Sequence, residues 1–297
     1  MLQAILLAIA ADGLLSLMDA IIKTMTARYP TFQIAFLRFS FGFLWASLLL
    51  SVLRPGWPSR ETIVYNVARS VLVVITATSF FYALGQLPLA DAVALAFLSP
   101  VFIALFGAVF LGERIDARIV VALLSGFAGM ILIAGSRVGM GTDSTHGALY
   151  GTAACVLSAV AYALTLVLLR ARAQRDALSI IVWFQNAGPA LLLAPAAALV
   201  WAAPSAWDLG LFALIGLLGV AGHLLLASAF ARAEAARLAP IQYVTLAWGV
   251  VFGYLFFADL PGLATLAGAG LIVIGTIATH RRKKAEPPVT TVDKQAA

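Results

Sequence analysis

Charge is what this chain has least of. Asp, Glu, Lys and Arg together make up 11% of its 297 residues, where a soluble domain carries about a quarter. Apolar residues reach 63% and the mean hydropathy is +1.01, which excludes an ordinary water-soluble fold. Cysteine occurs once, at Cys155; a disulfide within the chain is therefore excluded, and the redox compartment stays unread. Three histidines and one cysteine, without ligand spacing, give no metal site. No Gly-x-x-x-x-Gly-Lys-Ser/Thr run is present, so the chain carries no Walker A nucleotide site. No nucleophile–base pair stands out either, and no cofactor is expected.

What the chain has instead is long apolar runs. A helix needs about 20 apolar residues to cross the hydrocarbon layer. Ten such spans can be placed, at about 2–23, 32–53, 63–84, 89–111, 117–136, 147–169, 178–200, 208–230, 237–257 and 261–280. Moving the first five forward by 146 residues lays each on a span of the second five without a gap. Identities at that offset are sparse: Ile34 with Ile180, Gly42 with Gly188, Gly107 with Gly253, Phe110 with Phe256, and Gly129 with Gly275. One motif pair supports the register, Phe110-Leu-Gly-Glu113 against Phe256-Phe-Ala-Asp259. An odd number of spans per half sends the second copy through the membrane upside down, the plan of many alternating-access transporters. The expected fold is therefore all-α and integral to the membrane, with ten transmembrane helices as two inverted five-helix repeats. The first repeat is 1–136, a linker loop is 137–146, the second repeat is 147–280, and 281–297 is a polar, disordered tail.

The net charge of +6 is a topology signal and not a nucleic-acid patch. With a cytoplasmic N-terminus, the inner loops and tail receive Arg54, Arg60, Arg114, Arg118, Arg170, Arg172, Arg175, Arg232, Arg237, Arg281, Arg282, Lys283 and Lys284, while the outer loops hold only Arg28 and Arg137. Short loops rich in Lys and Arg stay inside, so both termini are expected in the cytoplasm. The first span lacks a basic n-region and carries Asp12 and Asp19, which reads as a first crossing and not a cleaved signal.

The run Leu89-Ala-Asp-Ala-Val-Ala-Leu-Ala-Phe-Leu-Ser-Pro-Val-Phe102, continuing to Phe110-Leu-Gly-Glu-Arg114, resembles the first repeat of EamA-type drug/metabolite transporters. Pro240-Ile-Gln-Tyr-Val-Thr-Leu-Ala-Trp-Gly249, continuing to Asp259-Leu-Pro261, is similar to their second repeat, with Ala258-Asp259 where Gly-Glu is usual. Asp19-Ala-Ile-Ile-Lys23, Tyr29-Pro30, Gln33-Ile34 and Arg38 resemble a bacterial subgroup with riboflavin and S-adenosylmethionine importers. The resemblance covers essentially the whole chain. It implies a ten-helix inner-membrane carrier with cytoplasmic termini.

The strongest local signal lies on the first span. Asp12, Ser16, Asp19 and Lys23 are spaced four, three and four, so they share one helical face. A charge at mid-membrane costs at least about 2.5–3.5 kcal/mol on insertion scales, so this face should turn toward protein or a wet cavity. Asp12 is the candidate for proton coupling; a buried aspartate held by hydroxyls or water is the plainer alternative. Asp19 and Lys23 form an i,i+4 pair in the better orientation. Arg38 lies at a depth similar to Asp19, and a hydrogen-bonded pair is expected; Arg38 is otherwise a clamp for an anionic solute. Arg69 and Glu113 are expected to form a structural or gating ion pair. Asp91 and Asp259 stand at outer helix ends and are read as solvated.

The second half offers aromatic and amide groups: Trp183, Gln185 and Asn186 on span seven, His223 on span eight, and Gln242, Tyr243 and Trp248 on span nine. Such groups can stack on and hydrogen-bond a planar solute, although Trp and Tyr also form interfacial belts. Glycines at 216, 219 and 222, and Gly249-x-x-x-Gly253, read as close-packing faces. Pro100 marks a bend in span four. Spans five and ten, free of ionisable residues in their cores, buttress the repeats. Together these readings give a secondary transporter, without ATP, for a small organic metabolite. Riboflavin or another planar or zwitterionic compound is the expected solute, and an amino-acid exporter is the alternative. A membrane enzyme or scaffold is the reading of another class. Partners are the solute, the bilayer and protons as coupling ion; no nucleic acid or obligate protein partner is expected.

Overall fold

The computed structural model describes residues 2–86, 95–96, 98–135, 145–257, 263, 267 and 270–271. Among them every regular element is helical. The long elements are α1 (Leu2–Met25), α2 (Thr31–Leu53), α3 (Arg60–Gln86), α5 (Ala117–Gly135), α6 (Thr145–Ala173), α7 (Leu178–Leu199) and α8 (Ala206–Arg232). A shorter helix, α4 (Ser99–Leu111), completes the first half. In the second half α9 (Ala235–Leu238) passes through a 3₁₀ segment (Ala239–Tyr243) into α10 (Val244–Phe257). Seven helical stretches are long and apolar enough to cross a membrane, so this is an all-α, multi-pass membrane protein. The tenth expected span, most of the linker loop, the tail, Asp91 and Asp259 lie outside the described residues or largely so.

Punctuation follows elementary turn chemistry. Pro30 precedes α2 with extended backbone, and Arg54 ends it in the left-handed region at φ 45°. Ser205 caps α8 by accepting the Asp208 amide at 3.1 Å. Gly112 ends α4 at φ 65°, a conformation that glycine adopts without strain, and so places Glu113 beside the helix end. Pro100 stands in the first turn of α4, where its missing N–H has no intrahelical duty; most of span four before it lies outside the described residues. Pro240 stands in the same way at the start of the 3₁₀ segment.

The helices form a ring in which neighbours come from alternate halves of the chain. In order, α1 packs on α8, α8 on α2, α2 on α7, α7 on α3, α3 on α6, α6 on α4, and α4 on α9 and the 3₁₀ segment, which returns with α10 to α1. Helix α5 packs from outside against the 3₁₀ segment. The halves are thus interleaved and not set side by side.

Small residues allow this close meshing. A Cβ on Gly216 would lie 2.7 Å from the Gly42 nitrogen, and one on Gly222 would lie 2.8 Å from the Leu15 side chain. Gly219 faces Met18, so Gly216, Gly219 and Gly222 of α8 are packing notches. A Cβ on Gly188 would collide with Ser70. The Gly42–Gly216 and Gly188–Ser70 contacts are related by the same 146-residue shift as the spans. Gly249 does not behave as its sequence pattern suggests: nothing among the described residues lies within 4 Å of a Cβ there.

Candidate functional site

Polar side chains from both halves turn into the ring. On α1, Asp12 and Ser16 are buried at 3% and 7% exposure, and neither Asp12 Oδ2 nor Ser16 Oγ has a hydrogen-bond partner. One turn further, Asp19 lies deep among the helices yet keeps an exposed surface. Arg38 on α2, Tyr162 on α6 and His223 on α8 are likewise deep and only half-buried.

These groups sense one another. Tyr162 is within electrostatic range of Asp12 and Asp19, and His223 of Arg38 and Arg69. The Tyr162 hydroxyl donates to Gln242 Oε1 at 3.0 Å, while Gln242 Nε2 has no partner. Trp248 donates to the Ile9 carbonyl at 3.1 Å and lies against Gly13, where a Cβ would stand 3.0 Å from its ring. Tyr243 is fully buried beside these groups in the larger hydrophobic core. The His223 ring is fixed by its own helix, Nδ1 donating to the Gly219 carbonyl at 2.6 Å.

Several expected pairings take another form. Arg38 does not hydrogen-bond Asp19. Its Nε reaches Met18 Sδ at 3.3 Å and its guanidinium covers the Phe39 ring, leaving Asp19 an electrostatic neighbour only. The guanidinium thus reaches α1 one residue away from Asp19. Lys23 does not pair with Asp19 but sits 4.3 Å over the Phe257 ring. Arg69 does not meet Glu113. It stands nine residues into α3, about 14 Å along the axis, and its two Nη groups donate to Asn66 and Gln185. Asn186 donates to Val182 of its own helix and fills the notch at Gly42. Trp183 donates to Ser47, so these two face α2.

Glu113 has a different cation. It accepts from Arg170 Nε at 3.3 Å and from the Ala236 amide at 2.9 Å, while Arg170 also donates to the Phe230 carbonyl at 2.7 Å. This ties α4 to α6, α8 and α9 at one end of the ring. Arg172 belongs to the same end, held by Asp176 and Glu61 at 2.8 Å each. Thr62 donates to Asp176 at 2.9 Å and hydrogen-bonds Ser59. At the other end Asp208 accepts from Arg28 at 2.7 Å and from Tyr29 and Ser205 at 2.8 Å each. That hydrogen bond to the carboxylate holds the Tyr29 phenol above its ordinary pKa. Gln33 clamps both backbone groups of Ala202 beside it. Ser59 and Thr62 shift by 146 residues onto Ser205 and Asp208.

Tyr162, Arg170 and Asp208 are absent from the sequence expectations as site or tie residues. For Tyr162 a signal exists: at the 146-residue offset it occupies the position of Ser16.

A model of the EamA-like transporter family matches residues 2–135 and 149–280. The chain belongs to the EamA-like transporter family. The pseudopaline exporter CntI of Pseudomonas aeruginosa is 32% identical over 286 residues, covering 95% of this chain and 97% of that one. The S-adenosylmethionine uptake transporter of Rickettsia bellii is 27% identical over 261 residues, 87% of each chain. The riboflavin transporter of Rhizobium johnstonii is 30% identical over 272 residues, 88% of this chain and 84% of that one. A solved crystal structure superimposes with a TM-score of 0.79 at 25% identity, over 93% of this chain and 98% of its own. This EamA-family protein is accordingly a membrane transporter and not an enzyme.

Proposed function

We propose that this EamA-family protein is a secondary transporter that carries a small zwitterionic metabolite through the centre of the helix ring by alternating access. The observation that carries this reading is the inward convergence of Asp12, Ser16, Asp19, Arg38, Tyr162, His223 and Gln242 within a chain that is otherwise apolar. Acidic groups on α1 suit a substrate amine, and the arginines of α2 and α3 suit a carboxylate. Unpartnered polar atoms at Asp12, Ser16 and Gln242 leave hydrogen-bonding capacity for a solute.

The architecture in this proposal is ten spans in two inverted repeats, 1–136 and 147–280, in the bacterial inner membrane with both termini cytoplasmic. The interleaved ring, the 146-related glycine contacts and the 146-related serine caps support it, as does the excess of arginine in the loops assigned to the inside. Rocking of one repeat against the other exposes the ring centre to each side in turn. Asp12, an acid near the middle of α1 with an unpartnered oxygen, serves as the proton-coupling group. Export is the direction supported by the relative matched over 95% of this chain. A planar, riboflavin-like solute is the second reading, favoured by Trp248 and its stacked neighbour Phe252, 5.7 Å between ring centroids.

The test is solute flux in proteoliposomes holding the purified full chain, across amino acids, amino-acid conjugates, flavins and nucleosides. Saturable flux of an amino-carboxylate supports the first reading, and flux of flavins alone supports the second. No flux of any of these solutes overturns both.

A further inference from the structure

Arg69 is a buried cation without an anion. It is 3% exposed, and no carboxylate among the described residues lies within ion-pair distance of it. Its partners are neutral amides: Nη1 donates to Asn66 Oδ1 at 3.1 Å, and Nη2 donates to Gln185 Oε1. Nε is buried and has no partner. Leaving a buried charge uncompensated is strongly unfavourable, so a membrane protein that keeps one has a use for it.

The pattern of occupied and vacant donors is specific. A guanidinium offers a carboxylate two forked edges, and the side-on edge consists of Nε–H with the neighbouring Nη2–H. At Arg69 one seat of that edge is empty and the other is filled by Gln185. Gln185 is carried by α7, in the other half of the chain, and the same helix contact includes Ser70 Oγ donating to the Phe184 carbonyl at 3.1 Å. The half-buried His223 is within electrostatic range of both Arg69 and Arg38, so Arg69 lies near other polar groups of the candidate site.

We infer that Arg69 is the carboxylate-recognising residue of the transporter, and that Gln185 is a stand-in which the solute's carboxylate displaces. Asn66 keeps the guanidinium oriented through Nη1 while the anion takes Nε and Nη2. Displacing Gln185 breaks a polar tie between α3 and α7, so carboxylate binding loosens the two halves at the point where they must slide. This rests on the transport reading above and adds to it a specificity residue with a coupling role.

Gln185→Glu tests it, because the variant supplies Arg69 with a built-in carboxylate. The probes are the L-amino acids, each beside its amide, and glycerol phosphate as a phosphate monoester, measured by thermal melting of the full chain in nanodiscs. In the wild type, acids are expected to raise the melting temperature and their amides are not. Gln185→Glu is expected to melt a few degrees higher without ligand and to lose the response to acids. Arg69→Lys, which keeps the charge but not the fork, is expected to weaken acid binding about 10- to 100-fold. Equal responses to acids and amides would overturn the inference, as would an unchanged acid response in Gln185→Glu or a lower melting temperature for it. A response to the phosphate ester alone would overturn the carboxylate assignment. Solute flux is scored separately: the melting pattern without flux of any solute counts against the transport reading and not against the anion seat.

Discussion

Gly188 on α7 leaves the space that Ser70 on α3 occupies: an added Cβ would lie 2.1 Å from the Ser70 hydroxyl and 2.3 Å from its Cβ. Neither helix can accept a methyl there without parting. Gly188→Ala is expected to destabilise the protein by about 1–3 kcal/mol, the usual cost of overpacking, seen as a lower melting temperature in nanodiscs. Adding Ser70→Gly should recover most of the loss. Gly210→Ala, where nothing lies within 4 Å of the new Cβ, should be neutral or slightly stabilising. Equal losses at both glycines would show that helix contact is not what Gly188 serves.

The same contact marks how far the sequence could be read. Helix positions were legible because length and apolarity fix them; seven helical stretches among the described residues are long and apolar enough to cross a membrane. The Gly42/Gly188 identity was visible as a coincidence of register, and the structure gives each glycine a partner. Helix neighbours were not legible. Depth along an axis places Asp19 level with Arg38 but does not say that the guanidinium meets Met18 and Phe39 instead. Arg69 and Glu113 share an expected depth as well, yet Arg69 meets Asn66 and Gln185 while Glu113 meets Arg170. Tyr162 was recoverable, since the offset sets it opposite Ser16.

Glu113 and Arg170 form the buried pair that should behave as a unit, with side chains 6% and 15% exposed. Glu113→Ala strands Arg170 and uncaps α9, at a cost of about 3–5 kcal/mol. In a double-mutant cycle, Glu113→Ala and Arg170→Ala should cost far less together than the sum of the single changes. For Asp19→Ala and Arg38→Ala the coupling should be smaller, because the two groups do not touch. A larger coupling for Asp19 with Arg38 would show that the two are directly bonded.

Asp12→Asn keeps the shape of the side chain and removes its titration. If Asp12 couples flux to protons, the variant should still exchange solute across the membrane but lose the dependence of net flux on an imposed pH gradient. The check is flux in proteoliposomes with and without the gradient. An unchanged gradient response would remove Asp12 from the coupling step while leaving its place beside Tyr162 and Gln242 intact.

The ties at the two ends of the ring predict opposite behaviour. Asp208 holds Arg28 and Tyr29 at one end, and Asp176 holds Arg172 and Thr62 at the other. Both join the two halves, so in the proposed alternating-access cycle each opens when its own end admits solute. Asp208→Asn weakens the first tie and should raise the population open at that end; Asp176→Asn should raise the population open at the opposite end. The Tyr29 bond adds a pH signature. Its phenol is held above the ordinary value, so the bond contributes at all pH values below the unfolded tyrosine pKa and is lost as pH rises through the folded one. Alkaline pH should therefore loosen the Asp208 end in the wild type and have less effect in Tyr29→Phe. Cys155 is the only cysteine and is buried, so Cys155→Ser gives a background in which single cysteines placed beside each tie report labelling from each side. A shift of labelling in the same direction for Asp208→Asn and Asp176→Asn would mean that the two ties do not alternate.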